Sequence, residues 1–210
     1  MKKVSIIIPA KDEEKSLPLL LDEIEEVKAR IPFSLEVIVV DDHSRDGTAQ
    51  VILKKGAVYL YNELPSGKGN ALRCGFKKAT GDYIVMMDAD YSHSAEDIPR
   101  ILKPLEEGAG LVIGSRIMAG TDEYTPLRAL GNGFFSSAIN ILFKQHLTDA
   151  LNGLKAFKSG LIKKLSYSSK GFEIEIELLA NALRLGYKIA EVPAHERRRY
   201  AGNAKSKILP

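Results

Sequence analysis

Apolar residues in this chain fall into short blocks of Val, Ile and Leu, separated by longer stretches where they recur every three or four positions. The first block, residues 4–8, reads as a buried strand, and residues 16–30 behind it have helical spacing, with Ser16 as a cap and Pro18 in the first turn. Residues 35–40 form a second strand ending in Asp41-Asp42. The turn Asp46-Gly47-Thr48 leads into a short helix to Lys54, and residues 58–61 form a third strand. Gly67-Lys68-Gly69 opens a helix through Lys78, and Gly81 precedes a fourth strand whose apolar run is residues 83–87. Residues 96–107 are helical, and residues 111–113 make a fifth strand stopped by Gly114-Ser115-Arg116. This alternation predicts an α/β fold with a mostly parallel central sheet and flanking helices.

After Arg116 the pattern changes. Residues 118–126 have loop composition, and residues 127–143 form a helical stretch dense in Phe, Ile and Leu. A short strand at 155–157, an amphipathic helix at 173–185 and a last strand at 188–192 follow. No repeat, low-complexity segment or linker divides the chain.

Composition narrows the class. A chain of 210 residues with 45% hydrophobic and 27% charged residues fits one soluble domain with a sizeable core. Its one cysteine, Cys74, lies in a helical run and excludes an internal disulfide framework, which suits a reducing compartment. The chain opens Met-Lys-Lys directly into a strand, so no signal peptide is expected. No apolar run reaches the ~18–20 residues of a membrane span. The net charge of +3 is unevenly placed: residues 195–210 hold five cations and one acid, leaving the rest about neutral. A basic tail on a neutral body calls for an anionic partner, or is a solvated terminus.

Acids stand where three apolar strands end: Asp12-Glu13-Glu14, Asp41-Asp42, and Asp88 with Asp90. In a parallel sheet ligands gather beyond the carboxyl ends of the strands, so the three clusters should share one rim. Asp88-Ala89-Asp90 suits a divalent cation with a diphosphate on its far side. Asp41-Asp42 can accept hydrogen bonds from a nucleobase or ribose. Other nucleotide sites do not fit. Leu72 stands where a dinucleotide fingerprint needs its third glycine, and Asn62 and Gly69 break a P-loop on either side of Gly67-Lys68. The four histidines, His43, His93, His146 and His195, show no zinc-ligand spacing. A nucleotidyltransferase would need a Gly-rich triphosphate loop after the first strand. A nucleic-acid-binding module built on the tail lacks interleaved aromatics beyond Tyr200 and leaves the acidic rim unexplained.

Taken in order, Pro9-Ala10-Lys11-Asp12-Glu13, Asp41-Asp42 through Gly47-Thr48, Gly67-Lys68-Gly69-Asn70-Ala71, Gly81-Asp82 through Asp88-Ala89-Asp90, and Gly114-Ser115-Arg116 resemble the family 2 inverting glycosyltransferases of the GT-A fold. Thr148-Asp149, Asn152-Gly153-Leu154-Lys155, Gly171-Phe172-Glu173, Glu191-Val192-Pro193 and Arg199 through Gly202 to Lys205 are similar to the dolichyl-phosphate mannose synthase branch. The resemblance implies a single GT-A domain over 1–210, with a nucleotide-sugar half at 1–116 and an acceptor half with a basic tail at 117–210. It implies donor contacts at Pro9, Lys11, Glu13, Val40 and Asp42, and Mg²⁺ or Mn²⁺ with the diphosphate at Asp88, Ala89 and Asp90, with Arg116 nearby. Arg128, Arg199 and Lys205 would face phosphates of the donor or the lipid acceptor. Lys11 replaces a tyrosine common in the family and Ser92 a glutamine that assists the metal, which leaves the nucleobase and the third metal ligand open.

The implied reaction transfers a hexose, mannose from GDP-mannose or glucose from a UDP-sugar, to a polyprenyl phosphate. The resemblance implies Asp90, Arg116 and Asp149 as the catalytic residues; the acceptor is already an anionic nucleophile, so Asp149, at the place of a base in relatives that act on hydroxyls, reads as an orienting or a capping group. Residues 127–143 are read as a core helix for most of their length, or as an interfacial helix beside the isoprenoid tail. The expected setting is the cytoplasmic face of a membrane through peripheral contact, with a membrane-anchoring partner or a membrane segment after Pro210. No nucleic acid is expected.

Overall fold

The three isoleucines Ile6, Ile7 and Ile8 are wholly buried in the middle of β1 (Lys3–Ala10), although neighbours in a strand point to opposite faces. A run of this kind requires a sheet covered on both sides. The structure is a computed structural model describing residues 1–123 and 125–202, without the side chains of Leu127 and Arg128. Among these residues β1 is joined by β2 (Ser34–Asp41), β3 (Val58–Tyr61), β4 (Tyr83–Met86), β5 (Leu111–Ser115), β6 (Lys155–Lys158) and β7 (Ile189–Pro193) in one seven-stranded sheet. The order is β3-β2-β1-β4-β6-β5-β7, and every neighbouring pair is parallel except the two made by β6.

Ile6 and Ile8 pack under α1 (Leu17–Lys28) and α4 (Ile98–Glu106). Ile7 packs on the other face, under α3 (Lys68–Lys78) and α8 (Ile174–Arg184). Each fully buried isoleucine contributes roughly 1.5–3 kcal/mol from the surface it removes from water. On the α3 side the approach is close. A Cβ on Gly75 would sit 2.3 Å from Ile7 Cγ2, so a side chain there would push α3 off the sheet.

The elements follow the sequence pattern, with α2 (Thr48–Lys54) between β2 and β3. Three points differ from expectation. Ser16 does not cap α1; its hydroxyl donates to Glu13 Oε2 at 2.6 Å. The loop after Arg116 begins with a short helix α5 (Arg116–Ala119), and α6 (Pro126–Phe143) starts at Pro126. Strand β6, followed by the short helix α7 (Ser159–Ile162), enters antiparallel between β4 and β5. That insertion carries residues 149–154 to the end of β4, beside Asp88.

The reading of α6 as mostly core is overturned. Among its described side chains the buried ones are mainly polar: Asn132, Ser136 and the single apolar Ile139. Asn132, Ser136 and Asn140 lie four apart, on one helix face. Ser136 Oγ accepts from Ala150 N at 3.0 Å, and Asn140 exchanges two hydrogen bonds of 2.8 Å with the Leu147 backbone. The outer face exposes Leu130, Phe134, Ile141 and Leu142, each at least 68% accessible.

Candidate active site

Because β2, β1 and β4 are adjacent and parallel, their carboxyl ends meet at one rim, over a cleft of about 210 Å³. Lys11, Glu13, Asp42, Lys68, Asp88, Asp90 and Arg199 all line it, as do Pro9, Ala89 and Phe172. Val40 does not reach it. Its side chain is wholly buried beneath α3, so only its main chain is left for the expected donor contact.

At one end Asp42 organises a loop. Its carboxylate accepts from Asn62 Nδ2 at 2.6 Å, Ser66 Oγ at 3.0 Å and Gly67 N at 2.9 Å, while Lys11 Nζ donates to Ser66 Oγ at 2.8 Å. Asp41 points elsewhere, accepting from Ser44 N and Tyr59 OH. Burial, then the Asp41 charge, pushes the Tyr59 hydroxyl above its usual range.

At the other end each of the two central carboxylates is gripped by a cation. Lys68 Nζ lies 2.5 Å from Asp88 Oδ1 and 2.5 Å from Glu175 Oε1, with the ammonium 5.2 Å from the Phe172 ring centroid. Burial pulls Lys68 down, but the charges of Asp88 and Glu175 outweigh it and raise the ammonium above its usual value. Burial likewise works against the Asp88 carboxylate, yet the Lys68 charge holds it below its usual range. The second grip comes from the chain's end: Arg199 Nη2 is 2.7 Å from Asp90 Oδ2, and Nη1 is 3.0 Å from Glu13 Oε1. The backbone brings it there, through Tyr200 N to Asp90 O and Arg197 N to Ser92 O.

Two further contacts orient the carboxylates. Ser92 bonds Asp90 Oδ1 through its amide at 3.0 Å and its hydroxyl at 2.5 Å. Asp88 N donates to His93 Nδ1 at 3.1 Å, so the ring proton is on Nε2, facing Asn152 Oδ1 at 3.1 Å. His93 therefore braces the loop through both ring nitrogens.

Among the described residues no group of three His, Cys, Asp or Glu could hold a metal alone. Two carboxylates one residue apart on an open cleft fit Mg²⁺ or Mn²⁺, which keep waters and take remaining ligands from substrate phosphates. The amino end of α3 is closed to such anions: Lys170 O accepts from Gly69 N at 2.9 Å and Asn70 N at 3.2 Å. A Cβ on Gly69 would lie 2.3 Å from Ser169 O, which explains the glycine.

Arg116 and Asp149 stand apart from the cleft lining. Asp149 is wholly buried, with Oδ2 2.7 Å from Arg116 Nε and 3.0 Å from Arg116 N, and Oδ1 2.8 Å from Arg116 Nη2. Both carboxylate oxygens are thus engaged, and Asp149 orients Arg116 at the start of α5. Assigning Asp149 to direct catalysis does not fit this geometry. The Arg128 side chain and all of Lys205 lie outside the described residues.

A sequence profile for glycosyl transferase family 2 matches residues 5–166. The chain belongs to glycosyl transferase family 2. It is 32% identical over 216 residues to an undecaprenyl-phosphate mannosyltransferase of Micrococcus luteus, covering 97% of this chain and 87% of that one. It is 31% identical over 213 residues to a dolichol-phosphate mannosyltransferase of Pyrococcus furiosus, covering 98% of this chain; it spans 59% of that protein's length. The fold matches glucosyl-3-phosphoglycerate synthase of Mycobacterium tuberculosis in complex with Mn²⁺, UDP and phosphoglyceric acid. The TM-score there is 0.75 at 25% identity, over 97% of this chain and 72% of that one. The fold of this family 2 glycosyltransferase is accordingly GT-A.

Four residues at the site went unforeseen in these roles: Lys68, Glu175, His93 and Lys155. Lys68 was visible between two glycines, but its partner Glu175 is more than a hundred positions away. Lys155 lies wholly buried on β6, donating to Asn152 O, and burial pushes its ammonium down to about 8.

Proposed function

We propose that this family 2 glycosyltransferase moves mannose from GDP-mannose to a polyprenyl phosphate, inverting the anomeric centre, with Mg²⁺ or Mn²⁺ bound at Asp88 and Asp90. The observation that carries the lipid acceptor is the inside-out polarity of α6, whose polar side chains face the domain and whose Leu130, Phe134, Ile141 and Leu142 face outward. Such a face lies favourably in a headgroup boundary, and no helix among the described residues is long and apolar enough to cross a membrane. The names of the Micrococcus and Pyrococcus relatives support the same acceptor and sugar.

In this reading Pro9, Lys11, Glu13 and Asp42 hold the nucleotide, and Val40 contributes only through its main chain. The divalent ion supplies charge to the departing diphosphate. Ser92 and Lys68 hold the two carboxylates in place for it. Arg116, Arg128, Arg199 and Lys205 bring the donor and acceptor anions together. A phosphate acceptor needs no strong base, which agrees with an Asp149 committed to Arg116. Residues 1–116 serve the donor and 117–210 the acceptor, with contact to the cytoplasmic face of a membrane through α6 and the basic tail, aided by an anchoring partner or a membrane segment.

A UDP-sugar donor is the second reading, favoured by the UDP in the M. tuberculosis structure. A radiolabel transfer panel tests both. GDP-mannose, UDP-glucose and UDP-N-acetylglucosamine are offered with a polyprenyl phosphate, and product is extracted into organic solvent. Label moving only from GDP-mannose supports the first reading. Label from a UDP-sugar alone selects the second, and no extractable label from any donor removes the lipid acceptor.

A further inference from the structure

The two cations that grip Asp88 and Asp90 differ in how they are held. Lys68 begins a helix, its side chain is 8% accessible, and its second partner Glu175 is itself buried. Arg199 projects from a segment with no regular structure, after the last strand and three residues before the left-handed Gly202 (φ +76°). Its segment has a separate anchor. Arg197 pairs with Glu23 at 2.6 Å, bonds Ser94 Oγ at 2.7 Å and stacks over the Tyr91 ring at 4.8 Å. The Arg199 side chain can therefore leave Asp90 without the segment coming loose.

Asp90 also has little left to offer a ligand. Ser92 occupies Oδ1 twice and Arg199 occupies Oδ2 at 2.7 Å. Any divalent ion that takes Oδ2 competes with the Arg199 guanidinium for the same lone pairs. The formal charge points the same way. Glu13, Asp88, Asp90 and Glu175 against Lys68 and Arg199 leave −2, the charge that one divalent ion neutralises.

We infer that Arg199 is an exchangeable counter-ion: it shares Asp90 Oδ2 with the metal, and loading the metal frees its guanidinium for an incoming anion. Glu13 keeps Nη1 at the cleft while Nη2 turns away from Asp90. Metal binding and the anion site are then coupled, so that a second phosphate meets a free arginine only after the donor's ion is in place. This inference rests on the proposed metal site at Asp88 and Asp90.

The test is Mn²⁺ binding to the full chain at neutral pH without nucleotide, followed by electron paramagnetic resonance, with a thermal melt confirming that each variant is folded. Arg199→Gln should bind Mn²⁺ roughly tenfold tighter than the parent chain, the equivalent of about one charge-assisted hydrogen bond no longer competing. Arg199→Lys, which keeps a cation, should stay near the parent. Arg197→Gln, which loosens the same segment without touching a rim carboxylate, should also stay near the parent. Unchanged or weaker binding in Arg199→Gln overturns the inference, as does equal tightening in Arg197→Gln, which would reduce the effect to a loosened segment. Asp90→Ala separates the levels. If it loses Mn²⁺ while Arg199→Gln matches the parent, the metal site stands and only the exchange fails. If Asp90→Ala binds Mn²⁺ as well as the parent, the metal site falls and the exchange with it.

Discussion

Lys68–Asp88 and Arg116–Asp149 are both close cation–carboxylate pairs, and Lys155 feels the charge of Lys68, Arg116 and Asp149. They are built for different ends. Asp149 is wholly buried with both oxygens bonded to one arginine, whereas the Asp88 side chain keeps 29% of its surface and lines the cleft. A carboxylate with an oxygen to spare can exchange partners with a ligand; one closed on itself serves as a strut. Charge alone therefore does not mark a reacting group. A place on the cleft does.

The sharpest way to break that contrast is to remove the cleft carboxylates. Asp90→Ala and Asp88→Ala should each lower transfer by roughly 10²-fold or more, the scale of losing electrostatic stabilisation at a leaving group, with the chain still folding because Lys68 keeps Glu175 and Arg199 keeps Glu13. Chelation with EDTA should stop the parent enzyme and Mn²⁺ or Mg²⁺ restore it. Full turnover after exhaustive chelation would refute the metal assignment.

The strut should answer in the opposite currency. Asp149→Ala removes the wholly buried carboxylate that takes three hydrogen bonds from Arg116 and should destabilise the fold by about 3–5 kcal/mol in a denaturant titration. Lys68→Met should have a smaller effect on stability and lower kcat/KM by at least about tenfold, roughly 1.4 kcal/mol of transition-state stabilisation. If Asp149→Ala leaves stability intact, or Lys68→Met leaves kcat/KM intact, the distinction between strut and site collapses.

Lys155 gives a pH signature between the two pairs. Its folded value, about 8, lies below the ordinary 10.5, so the unfolded chain binds more protons between those pH values. Stability from this group therefore rises with pH from about 8 to 10.5, by up to roughly 3 kcal/mol, and is flat below 8. Lys155→Met should abolish that rise, seen as the difference between the two stability–pH curves. The smallest effect on stability belongs to the outer face of α6. Phe134→Glu with Leu142→Glu should stay within about 0.5 kcal/mol per site yet weaken binding to anionic liposomes, because both side chains already face water. Liposome binding that survives the double substitution would move the membrane contact elsewhere.

The sheet was legible because its strands are short and buried on both faces, and such runs look alike wherever they occur. Asp88 and Asp90 were legible because strand ends place their own residues. Lys68 with Glu175 was not, since no local rule joins residues that far apart, and α6 was misjudged because apolar density says how much of a helix avoids water but not which face. Asp149 was visible as an acid and left open between roles, for which only the approach of Arg116 is decisive.

What the sequence by itself determined is the alternation of strands and helices, the family, and the acids at the sheet rim, since each depends on local patterning and chain order. Only the tertiary structure decided that β6 enters antiparallel between β4 and β5, that Arg199 crosses to Asp90, and that Asp149 closes on Arg116. Those outcomes depend on which distant groups come within hydrogen-bonding reach once both faces of the sheet are covered. Contact of that kind is set by packing the whole chain, and no single segment encodes it.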